Sequence, residues 1–199
     1  MSVRRRVVVT GMGSVSAAGC GGSSAVAAAL ARSAETIAPL KAFALPDCPS
    51  RLAAEVDDGE LMTLLDGNAV RRLSRICRMA VAACRLAAAD AGIEGGARLG
   101  LAVGSEYGDF RSGAEFFNGF LRRGVAGLSP MIFPNTVMNS MAAVVAIATG
   151  AKAPSVTLNQ ATVAGDLAVA RAAALIAGGR ADAVLAGGVD EIFLDVYRG

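Results

Sequence analysis

From Pro154 to Glu191 the spacing of apolar and polar positions changes period twice. Val156 and Leu158 alternate with Ser155 and Thr157, which predicts a strand over Ser155–Leu158. An Ala-rich run carrying Leu167, Val169, Leu175 and Ile176 then predicts a helix over Asp166–Ala177. Gly178 and Gly179 stop it, and Ala183–Ala186 reads as a second apolar strand. This is a strand–helix–strand unit of α/β type. Only Asp166 and Arg171 are charged on the helix, so burial on all sides is expected.

The rest of the chain follows the same alternation. Arg6–Val9 predicts a strand running into the Thr10-Gly11-Met12-Gly13 turn, and a helix is expected over Ala25–Arg32. Phe43 to Asp58 reads as loop with one short strand at Leu52–Val56. Leu73, Ile76, Cys77, Ala80, Val81 and Cys84 have the 3–4 spacing of a core stripe within a helix over Asn68–Ala91, closed by Gly92. Arg71, Arg72, Arg75, Arg78 and Arg85 lie mostly off that stripe. Leu99–Val103 predicts a buried strand, Glu106–Leu128 an irregular segment rich in phenylalanine, and Thr136–Thr149 a further helix.

Composition narrows the function classes. A chain of 199 residues that is 54% hydrophobic has material for one sizeable core. A net charge of +2 spread over the chain gives no general basic field, which argues against nucleic acid as the main partner. The apolar run Val7–Val9 is too short for a signal sequence or a membrane span. Cys20, Cys48, Cys77 and Cys84 have no metal-ligand spacing and histidine is absent, so neither metal nor cofactor is expected. Free thiols in a reduced, cytoplasmic setting are the expectation. The Gly11-x-Gly13 pair lacks the third glycine and the downstream acid of a dinucleotide site.

Several stretches together resemble the N-terminal half of β-ketoacyl-acyl-carrier-protein synthases. They are Val7-Val8-Val9-Thr10-Gly11-Met12-Gly13, Gly104-Ser105, the Pro130–Met141 segment, and Pro154-Ser155 leading through Asn159-Gln160-Ala161-Thr162-Val163-Ala164-Gly165 to Ala181-Asp182 and Gly187-Gly188. The resemblance runs from residue 3 to about 191. It implies an α/β, thiolase-like half with a mixed five-stranded sheet and helices on both faces, a single domain over residues 1–199 whose C-terminal companion half is missing. One side of the helix after Thr162 would then face water and call for a covering partner.

In those synthases the turn that opens the helix holds the nucleophilic cysteine, and here that position is Thr162. A thiol at a helix N-terminus is made acidic by the helix dipole and by orphan N–H groups, whereas a hydroxyl there needs an adjacent base. Thr162 therefore reads as a helix cap or near-cap. The resemblance then implies a subunit without its own chemistry, like a chain length factor, pairing with a catalytically competent β-ketoacyl synthase and shaping its acyl tunnel in polyketide or fatty-acid-type elongation. It also implies tunnel-lining roles for Phe110, Gly113, Phe116, Phe117, Met138 and Met141, contact of Arg71 and Arg72 with acyl carrier protein, and a dimer interface along Ser155, Val156, Thr157, Leu158 and Asn159. A condensing acyltransferase working through Thr162 or Gln160, or a structural half-domain that self-associates, are the rival readings.

Overall fold

The computed structural model describes residues 5–32, 35–44, 50–67 and 72–194. In chain order the elements are β1 (Gly13–Ser16), β2 (Gly19–Gly22), α1 (Ser23–Arg32), β3 (Ala38–Pro39), β4 (Leu52–Ala53), α2 (Asp58–Thr63), α3 (Arg75–Ala91), β5 (Leu99–Ser105), α4 (Phe110–Arg123), α5 (Ser140–Thr149), β6 (Ser155–Asn159), α6 (Ala164–Ala177) and β7 (Ala183–Gly188). Two 3₁₀ turns, Gly124–Gly127 and Phe133–Thr136, lie between α4 and α5.

β5 is the axis of the molecule. It pairs in parallel with β6 on one side and β7 on the other. All seven of its residues are buried, as expected of a parallel strand covered on both faces. Leu99, Leu101 and Val103 face α3 and α5, packing with Val81, Val145, Ile76 and Met141, while Ala102 faces α6 through Ala168 and Ala172. The β6–α6–β7 connection therefore passes over β5, with helices on both faces of the sheet.

The thiolase-like class holds, but the described residues build its main sheet from three strands, all parallel, rather than five in mixed directions. The other strands form two separate antiparallel pairs, β1–β2 and β3–β4. Arg6–Val9 makes no ladder among the described residues, and Val8 and Val9 stand 65% and 78% exposed. β propensity makes a strand only where a neighbour offers its backbone. What fixes this end is the crossing over α3: a Cβ built on Gly13 would lie 2.1 Å from the Ala83 carbonyl oxygen, so only glycine permits the approach.

Other boundaries moved for local reasons. α3 begins at Arg75, after Ser74 in extended conformation, and ends at Gly92 in the left-handed region as its C-cap, as expected. Residues 68–71 lie outside the described residues. The strand expected over Leu52–Val56 is reduced to Leu52–Ala53, and α5 starts at Ser140 because the segment with Pro134 forms a 3₁₀ turn. The segment expected to be irregular after Glu106 is mostly the helix α4, started by Asp109, whose side chain accepts from the Ser112 N–H at 3.0 Å. α6 is buried along Ala164, Ala168, Ala172 and Leu175 only, while Leu167 and Val169 are exposed on its outer side.

Candidate functional site at the carboxyl ends of the parallel strands

Three loops converge where β5, β6 and β7 end, the position at which open parallel sheets commonly carry their sites. The loop after β6 is the most constrained. Thr162 has φ 63°, the only non-glycine at positive φ among the described residues. The Val163 N–H donates to the Ala161 carbonyl at 2.8 Å, closing a γ-turn around it. A β-branched residue in this region costs on the order of 1–3 kcal/mol, strain that persists only where surrounding structure enforces it. The enforcement comes from α6, whose first turn is pressed onto the sheet through Gly104 and Gly188. Thr162 consequently does not cap the helix; Val163 holds that position without a side-chain bond. Thr162 and Gln160 are both exposed at the elbow.

The loop after β5 is tied down from both sides. The Asp190 carboxylate, just past β7, accepts from Ser105 Oγ at 2.7 Å, from the Glu106 N–H at 3.0 Å and from the Tyr107 N–H at 3.1 Å. From β6, Asn159 Nδ2 donates to the carbonyls of Ser105 and Glu106 at 2.9 and 2.7 Å. The Glu106 carboxylate in turn accepts from the Thr162 N–H at 3.1 Å. A hydrogen bond with Glu106, and its charge, hold the Tyr107 phenol above its ordinary pKa. Glu106 and Asp190 did not stand out in the sequence; the available signal was an acidic residue within two positions of the ends of β5 and β7.

The aromatic residues separate into two groups. Phe116 stacks its ring edge-to-face with Phe117 at 6.1 Å and packs against Phe133 at 5.8 Å, and Phe117 is 65% exposed. Phe110 packs on Phe193, with ring centroids 5.1 Å apart. Met138 is exposed and meets Gly108, whose built Cβ would lie 2.9 Å from its thioether. Met141, grouped with these residues on the sequence, is instead fully buried in the core with Ile76, Cys77 and Val103. Gly113 sits in α4 with nothing within 4 Å of a built Cβ. Arg72 is exposed, and Arg71 lies outside the described residues. Ser155–Asn159 form an outer strand of the sheet, paired among the described residues with β5 alone.

Behind this surface lies a buried acidic pair. Glu191 is 3.6 Å from Arg75 Nη1 and 3.5 Å from Arg111 Nε, yet neither carboxylate oxygen makes a hydrogen bond. Asp109 Oδ2 is also buried without one. Burial pushes the Glu191 carboxyl above its ordinary pKa; Arg111 and Arg75 oppose the shift and Asp109 adds to it. A raised folded-state value means that this group's contribution to stability is complete below the unfolded carboxylate range, about pH 4, and is lost as pH rises through the folded value. Glu191→Gln is therefore expected to gain on the natural chain in thermal melts as pH is raised from 4 to 7, the difference closing at the acid end.

Among the described residues the cysteines, Cys20, Cys77 and Cys84, are free thiols; Cys77 is buried and burial drives the Cys84 pKa to about 11. Cys48 lies outside the described residues. Among the described residues, no group of three or more histidine, cysteine or acidic side chains is placed to hold a metal ion, and no helix is long and apolar enough to cross a membrane.

A parallel sheet with helices on both faces and a strained elbow opening one of them is an α/β architecture that the thiolase-like class shares. Within it, the beta-ketoacyl synthase N-terminal domain family matches residues 4–195, and the chain belongs to that family. It is 31% identical over 178 residues to 3-oxoacyl-[acyl-carrier-protein] synthase 2 of Coxiella burnetii, covering 87% of this chain and 43% of that protein. The synthase 2 of Vibrio cholerae is 30% identical over 180 residues, covering 88% and 43% respectively. The chain thus spans less than half the length of these curated relatives. Among solved structures, the ishigamide ketosynthase/chain length factor superposes with a TM-score of 0.87 at 26% identity, over 98% of this chain and 50% of that one. A type II polyketide ketosynthase solved with its acyl-carrier protein shares the fold at 20% identity and a TM-score of 0.77.

Proposed function

We propose that this chain is a non-catalytic, chain-length-factor-like subunit that pairs with an active β-ketoacyl-acyl-carrier-protein synthase in polyketide or fatty-acid-type chain elongation. The observation that carries this reading is Thr162: a threonine occupies the strained elbow where the family's chemistry needs a thiolate. The likeness to a ketosynthase/chain length factor structure supports the same reading.

In this role the exposed rings of Phe110 and Phe117 and the half-buried ring of Phe116, with Met138 and Gly113, would face the acyl tunnel shared with the partner. Arg72 and Arg71 would meet the acidic carrier protein. The rival, chemistry through Thr162 or Gln160, requires an activated group at the elbow. The two readings part in one assay. The purified chain is expected to release no carbon dioxide from malonyl-carrier protein above blank, and Thr162→Ala is expected to change nothing. Decarboxylation by the isolated chain that disappears in Thr162→Ala would establish the enzyme reading instead.

A further inference from the structure

The backbone N–H of Thr162 projects from an exposed turn directly before α6, where orphan amide groups and the helix dipole favour a negative or carbonyl oxygen. A fixed amide in such a place is the kind of donor that binds an acyl carbonyl or a carboxylate. Here the donor is already engaged. Glu106 Oε2 lies 3.1 Å from the Thr162 nitrogen, and Glu106 reaches it from a different strand, 56 residues earlier in the chain.

The reach is not a chance pose of a free surface side chain. Two hydrogen bonds from the Glu106 N–H to Asp190 and one from Asn159 to its carbonyl fix its backbone. The neighbouring Tyr107 N–H is held by the same Asp190 carboxylate. The carboxylate is therefore presented to the turn by a loop already ordered on both sides, which lowers the entropic cost of placing it there.

We infer that Glu106 is an internal occupant of the Thr162 turn: its carboxylate takes the N–H that would otherwise be offered to an acyl carbonyl or a substrate carboxylate, and so excludes acyl groups from this subunit's own elbow. The assignment rests on the subunit reading for its purpose, since a chain kept off this elbow remains available to the partner's nucleophile. It also implies that loss of the cysteine is not the only barrier to chemistry here. A thiol restored at position 162 would sit beside a fixed negative charge, which disfavours its thiolate.

The test uses Thr162→Cys as a reporter in the full chain, alone and with Glu106→Gln, which keeps the length and an acceptor oxygen but removes the charge. Alkylation at neutral pH by iodoacetamide and by anionic iodoacetate is followed by mass spectrometry of the peptide holding position 162. The peptides holding Cys77 and Cys84 report any loss of folding. Glu106→Gln is expected to speed iodoacetamide about tenfold, since removing a like charge within a few ångströms lowers a thiol pKa by about one unit, and to speed iodoacetate more. Rates within twofold for both reagents would overturn the assignment. In the natural Thr162 background, Glu106→Ala is expected to accelerate hydrogen exchange of the Thr162 amide, and an unchanged amide would count equally against it. Neither measurement involves a synthase, so failure to bind one would defeat the proposed function and leave this result standing.

Discussion

Gly104→Ala is expected to leave no folded protein. β5 runs beneath the first turn of α6 so closely that a Cβ built on Gly104 would lie 2.1 Å from the Ala164 carbonyl oxygen and 2.3 Å from its carbon. Both atoms are backbone, so no side chain can swing aside; the helix must lift off the strand. Overpacking that side chains can absorb costs about 1–3 kcal/mol, and this substitution exceeds that range because it separates the helix from the strand at the centre of the sheet. A natural domain holds only about 5–15 kcal/mol in reserve. Gly113→Ala is the matching control, since the same added methyl meets nothing within 4 Å and sits inside α4. It should stabilise by roughly 0.5–1 kcal/mol through helix propensity. Circular dichroism melts of the two variants test the pair: a cooperative transition in Gly104→Ala near that of the natural chain would contradict the argument.

Thr157→Pro is expected to abolish assembly with a synthase partner while leaving the chain folded. The register decides which residue to change. The Leu101 N–H donates to the Pro154 carbonyl at 2.9 Å, and Leu101 stands opposite Ser155. In a parallel ladder this alternation turns the N–H of Val156 inward to β5 and leaves that of Thr157 on the free edge. A proline at Val156 would break the sheet itself. At Thr157 it removes only an outward donor, which edge strands tolerate. The natural edge carries no lysine or proline to deter pairing. Co-purification with a cysteine-bearing synthase is the measurement, with Arg32→Ala as the variant that should still bind. A folded Thr157→Pro chain that still binds would place the interface elsewhere.

What the sequence disclosed was whatever a short window contains. β6, α6 and β7 were legible because the change of hydrophobic period and the Gly178-Gly179 stop are local signals. The strand expected at Arg6–Val9 forms no ladder among the described residues, because a strand is a relation between two segments and β propensity alone supplies no partner. α4 was hidden by Gly113 and Gly119, which depress helix propensity, although Asp109 three residues before Ser112 was a usable start signal. At the site, the missing cysteine was visible in the sequence. The positive φ of Thr162 and the embrace of Glu106 by Asp190 and Asn159 were not, because they join residues more than 50 positions apart.

The central place of β5 also has a cost during biosynthesis. It is made first, and its seven residues are all destined for burial, yet its partners arrive only when Ser155–Asn159 and then Ala183–Gly188 have been translated. At roughly 5–20 residues per second this strand waits for several seconds without a ladder. During that interval Leu99, Leu101 and Val103 have α3 to pack on, because it is translated earlier. The other face of β5 stays open until Ala168 and Ala172 of α6 arrive to cover Ala102.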